Sequence, residues 1–221
     1  MIVDERIITF INSLDTKNSE ILEDIEREAL ADNVPIIRRE MQSFLKVLLM
    51  VKKPMRVLEV GTAVGFSALL MSEYVPEECA ITTIENYEKR IPIARQNFVR
   101  AGKEKKITLL EGDAMDVLKT LEGPYDFIFM DAAKGQYIHY LPEILRLLAK
   151  GGILVSDNVM QDGDVIESRF AVERRDRTIH ARMREYLYEL KHNDALVTSI
   201  IPLGVGVAMS VIKEVGTYIE P

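Results

Sequence analysis

The sequence predicts an α/β fold: a mostly parallel seven-stranded sheet with helices on both faces, one antiparallel strand near the C-terminus, and extra helices at the N-terminus. Three observations carry this. From residue 56 onward, short apolar runs alternate with stretches of helical period, and strands joined through helices pair in parallel. The last two apolar runs, 196–203 and 207–213, flank Gly204-Val205-Gly206, a connection so short that only an antiparallel hairpin can close it. The chain has 221 residues, 48% hydrophobic and 29% charged, which suffices for one sizeable core but not for two full domains. A single domain over 1–221 is therefore expected, with a helical entry region at 1–53 and the strand-bearing core at 54–221.

The entry region reads as helical because apolar side chains recur at helical spacing. They are Ile7, Ile11 and Leu14, then Ile21, Ile25 and Ala29, then Met41, Phe44, Leu45, Leu48 and Leu49. Asn18 or Ser19 suits the cap of the second helix. Pro35 and Pro54 fall where they interrupt the chain after the second and third. Strands are expected at 56–60, 80–84, 107–110, 126–130 and 153–155, with helices at 67–74, 88–101, 114–121 and 137–149. Ligands of such a sheet bind beyond the carboxyl ends of its strands, where strand order reverses, so chemistry is sought at strand ends.

Composition excludes several classes. With 28 Lys+Arg against 35 Asp+Glu the formal charge is -7, so a polyanionic partner must be met by a local basic patch. The lone cysteine, Cys79, cannot form an internal disulfide or a multi-thiolate zinc site, and it fits a reducing, cytoplasmic setting. The first residues are charged at once, and no apolar run approaches the roughly 20 residues that cross a bilayer, so neither a signal peptide nor a membrane partner is expected. No repeat, linker or low-complexity tract is present.

The first strand runs into Glu59-Val60-Gly61-Thr62-Ala63-Val64-Gly65-Phe66-Ser67. Gly61 and Gly65 let backbone approach a ligand, and the following helix points its amides there. The loop reads E-x-G-x-x-x-G rather than G-x-G-x-x-G, and its carboxylate would repel a pyrophosphate, so Glu59 suits a cationic or hydroxyl-bearing ligand. Glu85 ends the second strand, where an acid accepts hydrogen bonds from ribose hydroxyls. Asp113 and Ala114 follow the third strand, where a carboxylate and backbone amides can read an adenine edge. A nucleoside ligand lacking a pyrophosphate accounts for the set, although each loop taken singly is also a tight turn.

In this order the motifs resemble the class I S-adenosylmethionine-dependent methyltransferases, whose core is Rossmann-like. They are most similar to the divalent-metal-dependent O-methyltransferases, the group that includes catechol and caffeoyl-CoA O-methyltransferases and the bacterial tRNA 5-hydroxyuridine methyltransferase, the last looking nearest. The resemblance covers nearly the whole chain and is most specific at 57–67 and 129–158. It implies that Glu59, Ser67, Glu85, Asp113 and Ala114 line an S-adenosylmethionine pocket that backbone near Ile37 closes, with Gly61 and Asp131 beside the cofactor. It also makes Lys134 the candidate general base.

Asp131 ends one strand and Asp157-Asn158 the next. Three hard oxygen ligands from adjacent strand ends fit Mg2+, which keeps other octahedral positions for water or substrate. The same residues serve as well for a helix cap and a turn, and Lys134 for a solvated lysine. With a metal, a substrate bearing two vicinal oxygens is gripped and one hydroxyl made nucleophilic, giving Asp131 and Lys134 catalytic roles. Catechols and 5-hydroxyuridine both offer such oxygens.

After Asn158 the sequence places Arg169, Arg174, Arg175, Arg177, Arg182 and Arg184 against Glu173 and Asp176 within 169–184. With Arg38 and Arg39 these form a candidate RNA-binding patch, and Tyr137, Tyr140 and Phe170 are candidate stacking partners for an unpaired base. A solvated helix or a dimer contact is the plainer account. The expectation is methylation of 5-hydroxyuridine at the tRNA wobble position, with the anticodon arm as partner. A homodimer is expected to pack through the N-terminal helices and the reversed strand. Two alternatives stand: an O-methyltransferase of small catechol or hydroxycinnamoyl-type phenols, and a non-catalytic S-adenosylmethionine-binding RNA module. His139, His180 and His192 are read as packing or surface residues.

Overall fold

Strands β1 (Arg56–Val60), β2 (Ala80–Glu85), β3 (Ile107–Glu111), β4 (Tyr125–Met130), β5 (Leu148–Ser156), β6 (Leu196–Ile201) and β7 (Val207–Ile212) form one sheet in the order β3-β2-β1-β4-β5-β7-β6. They are seen in a computed structural model that describes residues 2–213; residue 1 and residues 214–221 of the expected domain lie outside the described residues. Pairing is parallel from β3 through β5, and β7 alone runs against its neighbours β5 and β6. Because β6 runs with the parallel strands, the hairpin that follows it turns back at the edge where their carboxyl ends lie.

Helices α1 (Glu5–Ser13), α2 (Glu20–Ala31) and α3 (Arg39–Lys52) precede the sheet, and α4 (Phe66–Tyr74), α5 (Ile91–Arg100), α6 (Ala114–Thr120), α7 (Tyr137–Leu147) and α8 (Arg177–His192) are interleaved with it. Strand alternation sorts the core into two layers. Val57, Phe127 and Phe129 pack with Leu22, Met41, Leu45, Phe66 and Phe98 of α2 to α5. Leu58, Val60, Ile128 and Met130 pack with Leu118, Tyr137, Ile144, Met183 and Tyr186 of α6 to α8. A sheet apolar on both faces needs helices on both, which is what the apolar runs required.

Some boundaries move. Helix α7 stops at Leu147, and β5 begins at Leu148 instead of 153. Leu148 pairs with Tyr125, and Gly151-Gly152, between the expected helix and strand, is absorbed into β5 where the β4–β5 register shifts. Helix α5 starts at Ile91, with Pro92 in its first turn. Ser19 holds the cap position of α2, but its hydroxyl accepts from none of the helix's free N–H groups and donates to Glu73. Helix α1 buries none of its side chains and leaves Ile7, Phe10, Ile11 and Leu14 exposed. The reversed strand β7 lies inside the sheet with both edges paired, so β6 is the edge strand and β7 cannot add a strand from a second copy. Among the described residues no helix is long and apolar enough to cross a membrane.

Candidate active site

Strand order reverses around β1, whose parallel partners are β2 and β4, and a cavity of about 640 Å³ opens beyond their carboxyl ends. Gly61 leaves β1 at φ +103°, and a Cβ there would collide with the carbonyl oxygen of Asp131 at the end of β4. The two strand ends can close on each other only because position 61 is glycine. Ala63, at φ 48°, donates its N–H to Glu85 Oε2 at 2.7 Å, while Glu85 Oε1 accepts from the N–H groups of Asn86 at 3.0 Å and Tyr87 at 2.9 Å. Three amides thus fix the Glu85 carboxylate on the cavity wall, together with Gly61, Ser67, Gly112, Ala114 and Ile37.

Two expected contacts fall elsewhere. Asp113 caps α6, its Oδ1 accepting from Met115 N–H at 2.9 Å, and its neighbours Gly112 and Ala114 line the cavity instead. Glu59 is fully buried beneath the cavity. It stands opposite Thr83 in the β1–β2 register, and the side-chain hydroxyls of Ser67 and Thr83 donate to its two oxygens, each at 2.5 Å. Its job in this geometry is to hold Ser67 on the wall.

At the other end of the cavity, Asn158 at φ 60° turns the chain so that its N–H donates to Asp157 Oδ1 at 2.7 Å and its Nδ2 to Asp131 Oδ1 at 3.1 Å. Lys134 Nζ also donates to Asp131 Oδ1, at 2.6 Å, and reaches the Tyr137 hydroxyl at 3.2 Å. Asp131, Lys134, Asp157 and Asn158 therefore meet on one wall, from the ends of β4 and β5 and the short 3-10 turn Lys134–Gln136.

Burial pushes the Asp157 carboxyl above the ordinary carboxylate range, and the neighbouring Asp131 charge adds to it. Such a pair, joined by an amide, is a donor set for a hard divalent cation, whose charge would offset the repulsion. Asn158 presents Nδ2 rather than Oδ1 towards Asp131, so ligation through oxygen requires its carboxamide to turn over. Among the described residues no group of three or more His, Cys, Asp or Glu is placed to hold a metal ion. The set here has two carboxylates and an amide.

Burial also raises Glu59 from 4.5 to about 7, against the pull of the Ser67 and Thr83 hydrogen bonds. The folded protein therefore keeps a proton that the unfolded chain gives up near 4.5, so Glu59 favours folding most at low pH. That contribution fades as pH rises to about 7 and is flat above it. In Glu59→Gln the stability gap to wild type should change by about 3 kcal/mol between pH 4 and 8, in favour of the variant as pH rises. Urea unfolding across that range checks it, and a gap independent of pH would contradict it.

A family model described as O-methyltransferase matches residues 12–213. The chain belongs to the O-methyltransferase family. Over 128 residues it is 35% identical to a catechol O-methyltransferase of Niastella koreensis, an alignment spanning 56% of this chain and 58% of that one, just over half the relative's length. Over 183 residues it is 32% identical to caffeoyl-CoA O-methyltransferase 2 of Populus trichocarpa, spanning 75% of this chain and 70% of that one. The structure of methyltransferase PaMTH1 from Podospora anserina with bound SAH superposes with a TM-score of 0.85 at 27% identity, covering 95% of each chain.

In this member of the family the expected arginine patch divides. Arg39 is drawn away from the cavity, pairing with Glu26 at 2.9 Å and Glu23 at 3.5 Å. Arg175 pairs with Glu173 and Asp176. Arg177 donates to the Val172 and Phe170 carbonyls, Arg182 to that of Gly135, and Arg184 to that of Val165, so these three brace loops. Arg169 and Arg174 are exposed, and among the described residues neither has a carboxylate within 4.0 Å. Arg38 lines the cavity mouth, 3.8 Å from Asp162.

The aromatic candidates divide as well. Tyr137 is fully buried and cannot stack on a base, Tyr140 is almost fully buried on the cavity wall, and Phe170 is 85% exposed. His180 is buried with Nε2 near the Glu167 carbonyl, His192 stacks on Tyr188, and His139 is exposed. Gln161, Asp162, Gly204 and Val205 line the cavity without having been expected there. For Gly204 and Val205 the available signal was direction: a hairpin following a strand parallel to the others must turn at their carboxyl edge.

Proposed function

We propose that the protein is a divalent-metal-dependent O-methyltransferase that uses S-adenosylmethionine to methylate 5-hydroxyuridine at the tRNA wobble position, giving 5-methoxyuridine. One observation carries the metal-dependent methyl-transfer part of this reading. A single cavity joins a wall suited to a nucleoside cofactor, with Glu85, Gly112 and Ala114, to a wall where Asp131, Lys134, Asp157 and Asn158 meet. The SAH seen in the Podospora relative supports the first wall's ligand.

Asp131, Asp157 and a reoriented Asn158 would hold the cation, which supplies charge that favours ionisation of a chelated hydroxyl. When bound, the cofactor would supply an electrophilic methyl group on a sulfonium, a neutral thioether being the leaving group. Gly61 admits the reacting groups close to the backbone, Glu85 accepts from ribose hydroxyls, and Lys134 Nζ, once it has released its own extra proton to solvent and stands as the neutral amine, would accept the acceptor's proton.

Arg169, Arg174 and Arg38 are the cations available for phosphates of the anticodon arm, and exposed Phe170 for stacking. Replacing Arg169 and Arg174 together by alanine should raise KM for tRNA about ten-fold and flatten its salt dependence, with KM for the cofactor unchanged. Steady-state kinetics at two salt concentrations measures both.

A second reading, methylation of a small catechol or hydroxycinnamoyl-type phenol, is favoured by the names of the aligned relatives. Incubation with cofactor, Mg2+ and either tRNA bearing 5-hydroxyuridine or free catechol, followed by mass spectrometry, separates the two. 5-Methoxyuridine is expected. Methylated catechol alone would establish the second reading, and cofactor binding without transfer to either would leave a binding module. The proposal includes a cytoplasmic homodimer formed through the exposed apolar face of α1, which light scattering tests.

A further inference from the structure

The Tyr137 ring is fully buried, and its hydroxyl lies among four polar atoms. It is 3.2 Å from the Ala132 N–H, 3.2 Å from Lys134 Nζ, 3.0 Å from the Met130 carbonyl and 3.2 Å from the Asp157 carbonyl. A phenol has one proton to give and two lone pairs. The two nitrogens use the lone pairs, and the proton goes to the Met130 carbonyl with the Asp157 carbonyl beside it. Its capacity is used in full.

The position of this knot matters. The β4–β5 register ends at Met130 and Ser156, and one more bond, from Asp157 N–H to the Met130 carbonyl at 3.0 Å, extends it. The next residue on each strand bears a carboxylate of the candidate metal wall. The Tyr137 hydroxyl therefore ties together the backbone on either side of Asp131, the backbone of Asp157, and the Lys134 side chain. The ring itself is held edge-on to Tyr186, with centroids 5.5 Å apart at 74°, and the Tyr186 hydroxyl is tied to Ser156 Oγ at 2.6 Å. Without the 137 hydroxyl, Ala132 N–H and the Asp157 carbonyl would lose a partner at the point where two like charges push the strand ends apart.

We propose that Tyr137 is a positioning residue whose hydroxyl sets the separation of Asp131 and Asp157, and with it the affinity of that pair for a divalent cation. This rests on the metal-dependent reading given above. Tyr137→Phe keeps the ring and removes the tie. Tyr186→Phe removes a neighbouring buried hydroxyl that touches neither carboxylate's backbone, and so controls for the general cost of losing one.

The probe is Mn2+ alone, titrated by electron paramagnetic resonance, with cofactor affinity measured by calorimetry and stability by thermal unfolding. Tyr137→Phe is expected to bind Mn2+ about ten-fold more weakly or worse and to lose a similar factor in kcat, with cofactor affinity within about two-fold of wild type. Tyr186→Phe is expected to lose comparable thermal stability yet bind Mn2+ as wild type does. 4-Aminophenylalanine at position 137 keeps donors for the two carbonyls but has one weak lone pair for the two nitrogens, so it is expected to bind Mn2+ between wild type and the phenylalanine variant; if the phenylalanine variant does not fold, wild-type Mn2+ affinity here would overturn the role. Wild-type Mn2+ affinity in Tyr137→Phe, or an equal loss in Tyr186→Phe, would overturn the tyrosine's role alone. Wild-type protein that binds no Mn2+ would overturn the metal-dependent reading together with it.

Discussion

Asp157→Asn is expected to lower turnover about a thousand-fold or more while leaving the metal-free protein at least as stable as wild type. The two effects have opposite signs because the same charge serves one state and burdens the other. In the absence of a cation, Asp157 is buried beside Asp131, and both burial and that neighbour disfavour its ionised form. An asparagine is isosteric and can still accept from Asn158 N–H, the bond Asp157 Oδ1 makes at 2.7 Å. Removing the charge relieves repulsion, a gain of about 1 kcal/mol. With a cation and acceptor bound, the lost carboxylate takes with it about 4 kcal/mol of charge stabilisation, which is about a thousand-fold in rate. Product formation under saturating Mg2+ and urea unfolding in EDTA measure the two sides. Undiminished turnover in the variant would remove the metal wall from the mechanism.

Gly61→Ala should be the most damaging of the small substitutions, costing about 4 kcal/mol and lowering the melting temperature by roughly 10 °C. Alanine at φ +103° is strained in itself, and its Cβ would meet the backbone carbonyl of Asp131, which no side-chain rotation can move aside. Relief requires β1 and β4 to separate where the cavity begins, so cofactor affinity should fall with stability. Gly102→Ala is the control. It too has positive φ, +64°, but nothing lies within 4 Å of the added Cβ, and it should cost about 1 kcal/mol. Thermal unfolding and calorimetry on both variants distinguish the collision from the general penalty of positive φ. Equal losses would show that strand closure at Gly61 is not what matters.

The strand ends were legible because a strand that crosses a two-faced core must be apolar until it leaves it. Glu85, Asp131, Asp157 and Asn158 each interrupt such a run, and each is found on the cavity wall. Glu59 interrupts a run in the same way yet lies beneath the wall, because its partner is Thr83 across the β1–β2 register and that pairing is long-range. Asp113 follows the end of β3 by two residues, but the helix it begins claims its carboxylate. A strand-end acid is thus a reliable marker of the edge and a poorer one of what the side chain faces.

By itself the sequence determined the alternation of strands and helices, the hairpin that reverses β7, and the set of carboxylates delivered to one edge. All of these follow from local periodicity and chain direction. Only the tertiary structure decided which polar groups had partners to spare. Of the arginines after Asn158, three brace backbone carbonyls and one sits between acids. Tyr137, a candidate stacking partner for an unpaired base, is sealed against Tyr186 with its hydroxyl fully used. The physical reason is that a hydrogen bond or ion pair depends on two groups brought within about 3 Å, and for side chains distant in sequence that distance is set only when the layers pack.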